Sequence, residues 1–141
     1  MNESRVDLRR LYWVGPLTVA AAVLGVLIVR VIGVAIVHPS PRFEALGWAP
    51  PVSLSVIMVI GAVLVFALVG RLSRSPLRIY FIVSVIVLVL TFIPDIIEPI
   101  YMLVPGASWP NAVVLMVMHV AAWAISVAML SKLTVATDKE G

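Results

Sequence analysis

Two acids three residues apart, Asp95 and Glu98, close a long apolar run in the stretch Thr91-Phe92-Ile93-Pro94-Asp95-Ile96-Ile97-Glu98-Pro99. That spacing puts both carboxyls on one face of a helix, provided the helix continues past Pro94. Two such groups can serve as a paired acid and base. Arg30 is the arginine set inside an apolar run, and His119 is the mid-run histidine. A guanidinium can pair with either carboxyl, directly or through water, and an imidazole titrates near neutral pH. Arg30, Asp95, Glu98 and His119 therefore define a candidate polar pocket. Ser84 and Thr91 share the face of the acids, and Ser126 shares that of His119 with Ala122 and Trp123, so these three polar groups are expected to support it.

Four apolar runs must position these groups: residues 11–37, 52–70, 77–94 and 111–130. Each approaches the ~20 residues that cross a bilayer core of about 30 Å. Their Val and Ile content is strand-like, but the runs are too long for strands and do not alternate, which excludes a barrel. The punctuation suits helices. His38-Pro39-Ser40-Pro41 ends the first run and Ala49-Pro50-Pro51 precedes the second. The segment 70–76 is a tight turn, and Pro105-Gly106 and Trp109-Pro110-Asn111 frame the fourth run, with Asn111 as its expected cap. Gly15-Pro16 and Pro94 are expected kinks.

Composition agrees. The chain has 141 residues, 62% hydrophobic and 12% charged, whereas a soluble domain is about a quarter charged. The expected architecture is all-α: a single polytopic membrane domain, a four-transmembrane-helix bundle in contact with the lipid bilayer. The absence of Cys excludes disulfides, thiolate metal sites and Cys nucleophiles. A net charge of +3 fits basic residues held in inside loops better than nucleic-acid binding. Arg5, Arg9, Arg10, Arg71, Arg74, Arg78, Lys132 and Lys139 fall on one side; Arg42, Glu44, Asp95 and Glu98 fall on the other. Both termini are accordingly expected in the cytoplasm. Tyr12 and Trp13 fit an inner aromatic belt, and Trp48, Tyr101 and Trp109 an outer one. The first run is read as a retained helix rather than a cleaved signal, being too long and without a small-x-small site. Asn2-Glu3-Ser4 is a glycosylation sequon on the wrong side, and residues 134–141 form a polar, frayed tail.

A mid-helix arginine costs about 2.5–3.5 kcal/mol to insert, which the Leu, Ile and Val of the same run offset by a few tenths each. Arg30 sits roughly 10 Å below the outer boundary and His119 roughly 12 Å. Arg30 either snorkels to the headgroups, fixes helix register in a buried ion pair, or takes part in a working pocket. Side chains lean toward the helix N-terminus, which tips Arg30 inward. A direct contact with an acid also requires the outer loop to dip, because the depth gap is close to the two side chains' reach.

Met102, Met116, Met118 and Met129 read as apolar filler rather than ligands for a metal or haem. Two histidines at different depths make a poor bis-His site, so no metal or cofactor is expected. Ala21/Gly25, Ala122/Ser126 and Ala124/Ala128 permit close helix contact, within one chain or between copies. Phosphate loops, His-Glu-x-x-His and nucleophile elbows are missing from the sequence.

The stretch Leu90-Thr91-Phe92-Ile93-Pro94, followed by Leu115-Met116-Val117-Met118-His119-Val120-Ala121-Ala122, resembles a family of small bacterial four-helix membrane proteins catalogued as a domain of unknown function. There a Ser/Thr-x-x-Pro-like motif ends the third helix and a Met-His pair, here Met118-His119, opens the fourth. The resemblance implies a bacterial inner-membrane location and brings no activity. The leading expectation is a non-enzymatic accessory or interaction protein, self-associating or part of a larger membrane complex, with no nucleic-acid partner. The alternatives are a small-solute or proton-coupled transporter built on the pocket, which needs an oligomer, and a membrane enzyme acting on a lipid or quinone.

Overall fold

The chain is an all-α, four-helix bundle in a computed structural model that describes residues 6–135. The helices are α1 (Leu11–Val37), α2 (Ala49–Leu72), α3 (Pro76–Tyr101) and α4 (Trp109–Leu133). The sequon, Arg5, Lys139 and residues 136–141 of the polar tail lie outside the described residues.

All four helices are long and apolar enough to cross a membrane. In the most apolar window of each, only 11% to 22% of the residues are buried inside the bundle. Leu24, Ile28, Ile36, Leu64 and Leu68 are among the large side chains left outside. Water would leave that surface uncovered, whereas lipid covers it; the chain is a multi-pass membrane protein.

Proline sets where the helices begin. Pro50 and Pro51, Pro76, and Pro110 fall in the first turns of α2, α3 and α4, where no intrahelical N–H is required. α2 and α4 therefore absorb prolines expected to lie outside them. Asn111 is not the cap of α4: Ser108 holds that position, and Asn111 Nδ2 donates to the Gly106 carbonyl at 3.0 Å. α3 does not stop at Pro94 but runs through Pro94 and Pro99 to Tyr101. Membrane helices tolerate such prolines because neighbouring groups satisfy the freed carbonyls. The continuation keeps Asp95 and Glu98 on helix.

Two clusters form the core. One joins Val14, Phe66, Tyr80 and Leu130 near the described chain ends, with the Phe66 and Tyr80 rings edge to face at 4.8 Å. The other joins Val26, Val114, Leu115 and Met118 to Phe43 and Leu46 of the loop between α1 and α2. That loop folds back into the bundle. α1 and α4 pack closely where α1 has no side chain. A Cβ on Gly25 would clash with Ile125 Cδ1, and one on Gly33 would lie 2.5 Å from Val114 Cγ1. Gly25 thus serves packing within the chain.

At the other end the two chain ends meet. Val6 pairs antiparallel with Val135, and Asp7 N–H donates to the Thr134 carbonyl at 2.8 Å. Arg10 Nη1 donates to the Val135 carbonyl at 3.0 Å. Thr134 is fully buried, so the fraying expected from residue 134 onward does not begin there; the backbone pairing and Arg10 hold it.

Candidate functional site

Arg30 lies about one turn beyond Val26, on the α1 face buried against the cluster that holds Phe43 and Leu46, and is itself 8% exposed. Its Nε–H donates to the carbonyls of Leu46 at 2.9 Å and Gly47 at 2.8 Å. Its guanidinium carbon stacks 3.7 Å from the centre of the Trp48 ring. Among the described residues no carboxylate lies within 4.0 Å of it. The loop between α1 and α2 does dip, as contact with an acid would require, but it brings backbone carbonyls and an indole to Arg30. The arginine neither snorkels nor joins the acids.

Asp95 and His119 do meet. Asp95 is 5% exposed on α3, facing α4, and its Oδ2 lies 3.1 Å from His119 Nδ1. The Leu115 carbonyl lies 2.9 Å from the same nitrogen. The Leu115 carbonyl can only accept, so Nδ1 carries a proton and Nε2 remains for another partner. The Leu115 carbonyl takes the directed bond; buried Asp95 Oδ2 has the electrostatic contact but no directed hydrogen bond. A carboxyl and an imidazole that share one mobile proton carry no net charge, which makes such a pair tolerable within a bilayer. The Phe92 ring meets the imidazole nearly edge-on, centroids 6.5 Å apart.

Glu98 is half-buried one turn further along α3. Its side chain makes no ion pair among the described residues. Its backbone carbonyl accepts from Met102 and Leu103, closing the helix where Met102 turns left-handed at φ 48°. The four expected groups therefore divide into a joined pair, Asp95 with His119, and two that stand apart, Arg30 and Glu98.

The three supporting residues lie together. Ser84, Thr91 and Ser126 line one cleft of about 420 Å³ between α2, α3 and α4, with His119. Exposed Ile57 and Met58 on α2 and Val87 on α3 flank its mouth, and Ala122 and Trp123 of α4 form part of its floor. Thr91 Oγ1 donates to the Leu88 carbonyl at 2.7 Å and Ser84 Oγ to that of Phe81 at 2.8 Å. Trp123 Nε1–H donates to Ser84 Oγ at 3.1 Å, tying α4 to α3. Ser126 Oγ and Tyr80 OH are buried without partners.

Sequence reasoning missed Tyr80, Gly61 and the latch formed by residues 46–48. Tyr80 carried a signal, a phenol inside an apolar run. Trp48 looked like one more belt residue, and the carbonyls of Leu46 and Gly47 are backbone groups without a sequence mark. Met118 is core filler beside Leu115. Among the described residues no three His, Asp or Glu side chains gather as a metal set.

A bundle of four membrane-spanning helices, carrying a buried carboxyl against a half-buried imidazole beside a lateral cleft, defines a small multi-pass membrane protein. Within that class, the chain belongs to the family of unknown function DUF6069, which it matches over residues 3–135. No curated protein and no solved structure matches it.

Proposed function

We propose that the protein is a non-enzymatic accessory or interaction protein of the bacterial inner membrane, associating with itself or with a larger membrane complex. The observation that carries this reading is how the polar side chains are committed. Arg30 holds the outer loop, Ser84 bonds Phe81 and Trp123, Thr91 bonds Leu88, and His119 Nδ1 serves Leu115 and Asp95. These groups spend their hydrogen bonds on tying the bundle together.

Orientation follows from charge. Arg9, Arg10, Arg71, Arg74, Arg78 and Lys132 gather at the end of the bundle that holds both described chain ends, against Arg42 at the other. The positive-inside rule supports a cytoplasmic location for that end. The chain has no Cys, so single replacements Arg74→Cys and Arg42→Cys report sidedness cleanly. An impermeant maleimide on intact spheroplasts labels Arg42→Cys alone if this orientation holds; labelling of Arg74→Cys alone overturns it. Pulldown in mild detergent with mass spectrometry tests the accessory role. Stoichiometric co-purification of a membrane protein, or a defined homo-oligomer, supports it; a lone monomer at native expression level overturns it.

A second reading rests on the Asp95–His119 pair, a proton-holding device beside a cleft, and makes the protein a proton-coupled transporter acting as an oligomer. Proteoliposomes carrying a pH dye separate the two. Proton flux abolished by Asp95→Asn establishes transport, and flux at the level of empty vesicles removes it.

A further inference from the structure

We propose that the cleft between α2, α3 and α4 binds a neutral amphiphile dissolved in the bilayer: an oxygen-bearing ring on an apolar tail, the chemistry of a prenylated quinone or quinol. This inference is independent of the accessory role.

Two orphaned hydroxyls carry it. Tyr80 and Ser126, 2% and 3% exposed, both line the cleft, and neither hydroxyl has a partner. Elsewhere the helices return such protons to their own backbone: Thr18 to Val14, Ser84 to Phe81, Thr91 to Leu88. Ser126 has the same option and does not take it. A buried hydroxyl left without a partner is costly, and a ligand oxygen removes that cost. His119 adds Nε2, the ring nitrogen not engaged by Leu115 or Asp95.

Shape, charge and access then narrow the ligand. The volume of about 420 Å³ lies within the range of roughly 300–1,000 Å³ typical of small-molecule sites. A Cβ built on Gly61, which lines the cleft, meets nothing within 4 Å. No Lys, Arg, Asp or Glu lines it, so a phosphate or carboxylate head finds no permanent counter-charge. Tyr80, His119 and Trp123 supply aromatic surface for a flat ring. Ile57, Met58 and Val87 at the mouth are lipid-facing, so the ligand enters sideways from the membrane. Along α4, Ser126 and His119 are two turns apart, about 10 Å, which sets polar stations at separate depths of an otherwise apolar trough.

The test uses the full-length protein in nanodiscs and decylubiquinone as probe, read by quenching of tryptophan fluorescence, to which Trp123 in the cleft wall contributes. Saturable quenching is expected for the wild type. Gly61→Phe projects a ring from a position where a Cβ meets nothing within 4 Å and is expected to reduce affinity at least tenfold, with unchanged helical content and elution volume. Ser126→Ala and Tyr80→Phe, which leave the cleft open, are each expected to weaken binding about threefold to tenfold. Hexadecanol, a chain with a hydroxyl but no ring, is expected not to compete. Quenching that rises linearly and equally in wild type and Gly61→Phe overturns the proposal, because it reports partitioning into lipid. Saturable binding untouched by Gly61→Phe places the site elsewhere and also overturns it. Full competition by hexadecanol overturns the ring-bearing class.

Discussion

Replacing Arg30 by Leu isolates the latch on the outer loop. The substitution removes one charged donor shared by the Leu46 and Gly47 carbonyls and one stack on Trp48. A hydrogen bond from a charged group contributes about 1.5–3 kcal/mol, and a cation–π contact about 0.5–2 kcal/mol. The loop therefore loses about 2–5 kcal/mol of local closing energy, which corresponds to a rise of about thirtyfold to a few thousandfold in its opening constant. Global stability changes less, because removing a charge from the membrane interior returns about 2.5–3.5 kcal/mol of insertion cost. Burial of Phe43 and Leu46 against Val114 and Leu115 also survives the change. The expected pattern is thus split: faster exchange confined to residues 43–48, with a thermal midpoint close to that of the wild type. Amide hydrogen exchange by mass spectrometry, on protein in detergent micelles, resolves it. Trp48→Leu should give the smaller share, and Trp48→Phe less still. Unchanged exchange at 43–48, or a change centred on residues 91–98, would refute the reasoning, since Arg30 would then act on the acids.

Two further outcomes follow from packing at opposite ends. Gly33→Ala places a methyl 2.5 Å from Val114 Cγ1 and 3.0 Å from Cγ2. Valine is stiff, so α1 and α4 must separate, at a cost of about 1–3 kcal/mol; Gly61→Ala, in open space, is the matched control and should be near neutral in SDS-titration unfolding. Arg10→Ala removes the donor to the Val135 and Leu133 carbonyls. It should raise exchange near Thr134 and cost about 1 kcal/mol or more, while leaving the outer loop unaffected.

The spans were legible because their signal is length in a chain of few charges, and no local exception can hide it. The helix ends were less so, and for one reason: proline reads as a boundary in water. Pro50, Pro51, Pro76 and Pro110 fit first turns, and Pro94 and Pro99 sit inside α3. Helical spacing put Ser84, Thr91, His119 and Ser126 on faces expected to point into the bundle interior; the structure places all four along a cleft between α2, α3 and α4 whose lining includes the exposed Ile57, Met58 and Val87. The partner of Arg30 was not legible, because charge pairing made the acids its obvious counterparts. The groups it holds are carbonyls of Leu46 and Gly47, and only a loop folded into the bundle brings them there. Fraying at Thr134 and Val135 was misjudged for a similar reason: their restraint comes from Asp7 and Arg10, at the far end of the sequence.

The account stands on the division of the buried charged groups into two centres that share no partner: Arg30 with the outer loop, and Asp95 with His119. Double-mutant cycles around Asp95, scored by reversible unfolding in detergent, measure that division directly. Asp95→Asn combined with His119→Phe is predicted to show a coupling of about 0.5–3 kcal/mol, and Asp95→Asn combined with Arg30→Gln to be additive to within about 0.5 kcal/mol. A coupling of Arg30 to Asp95 as large as that of His119 would contradict it.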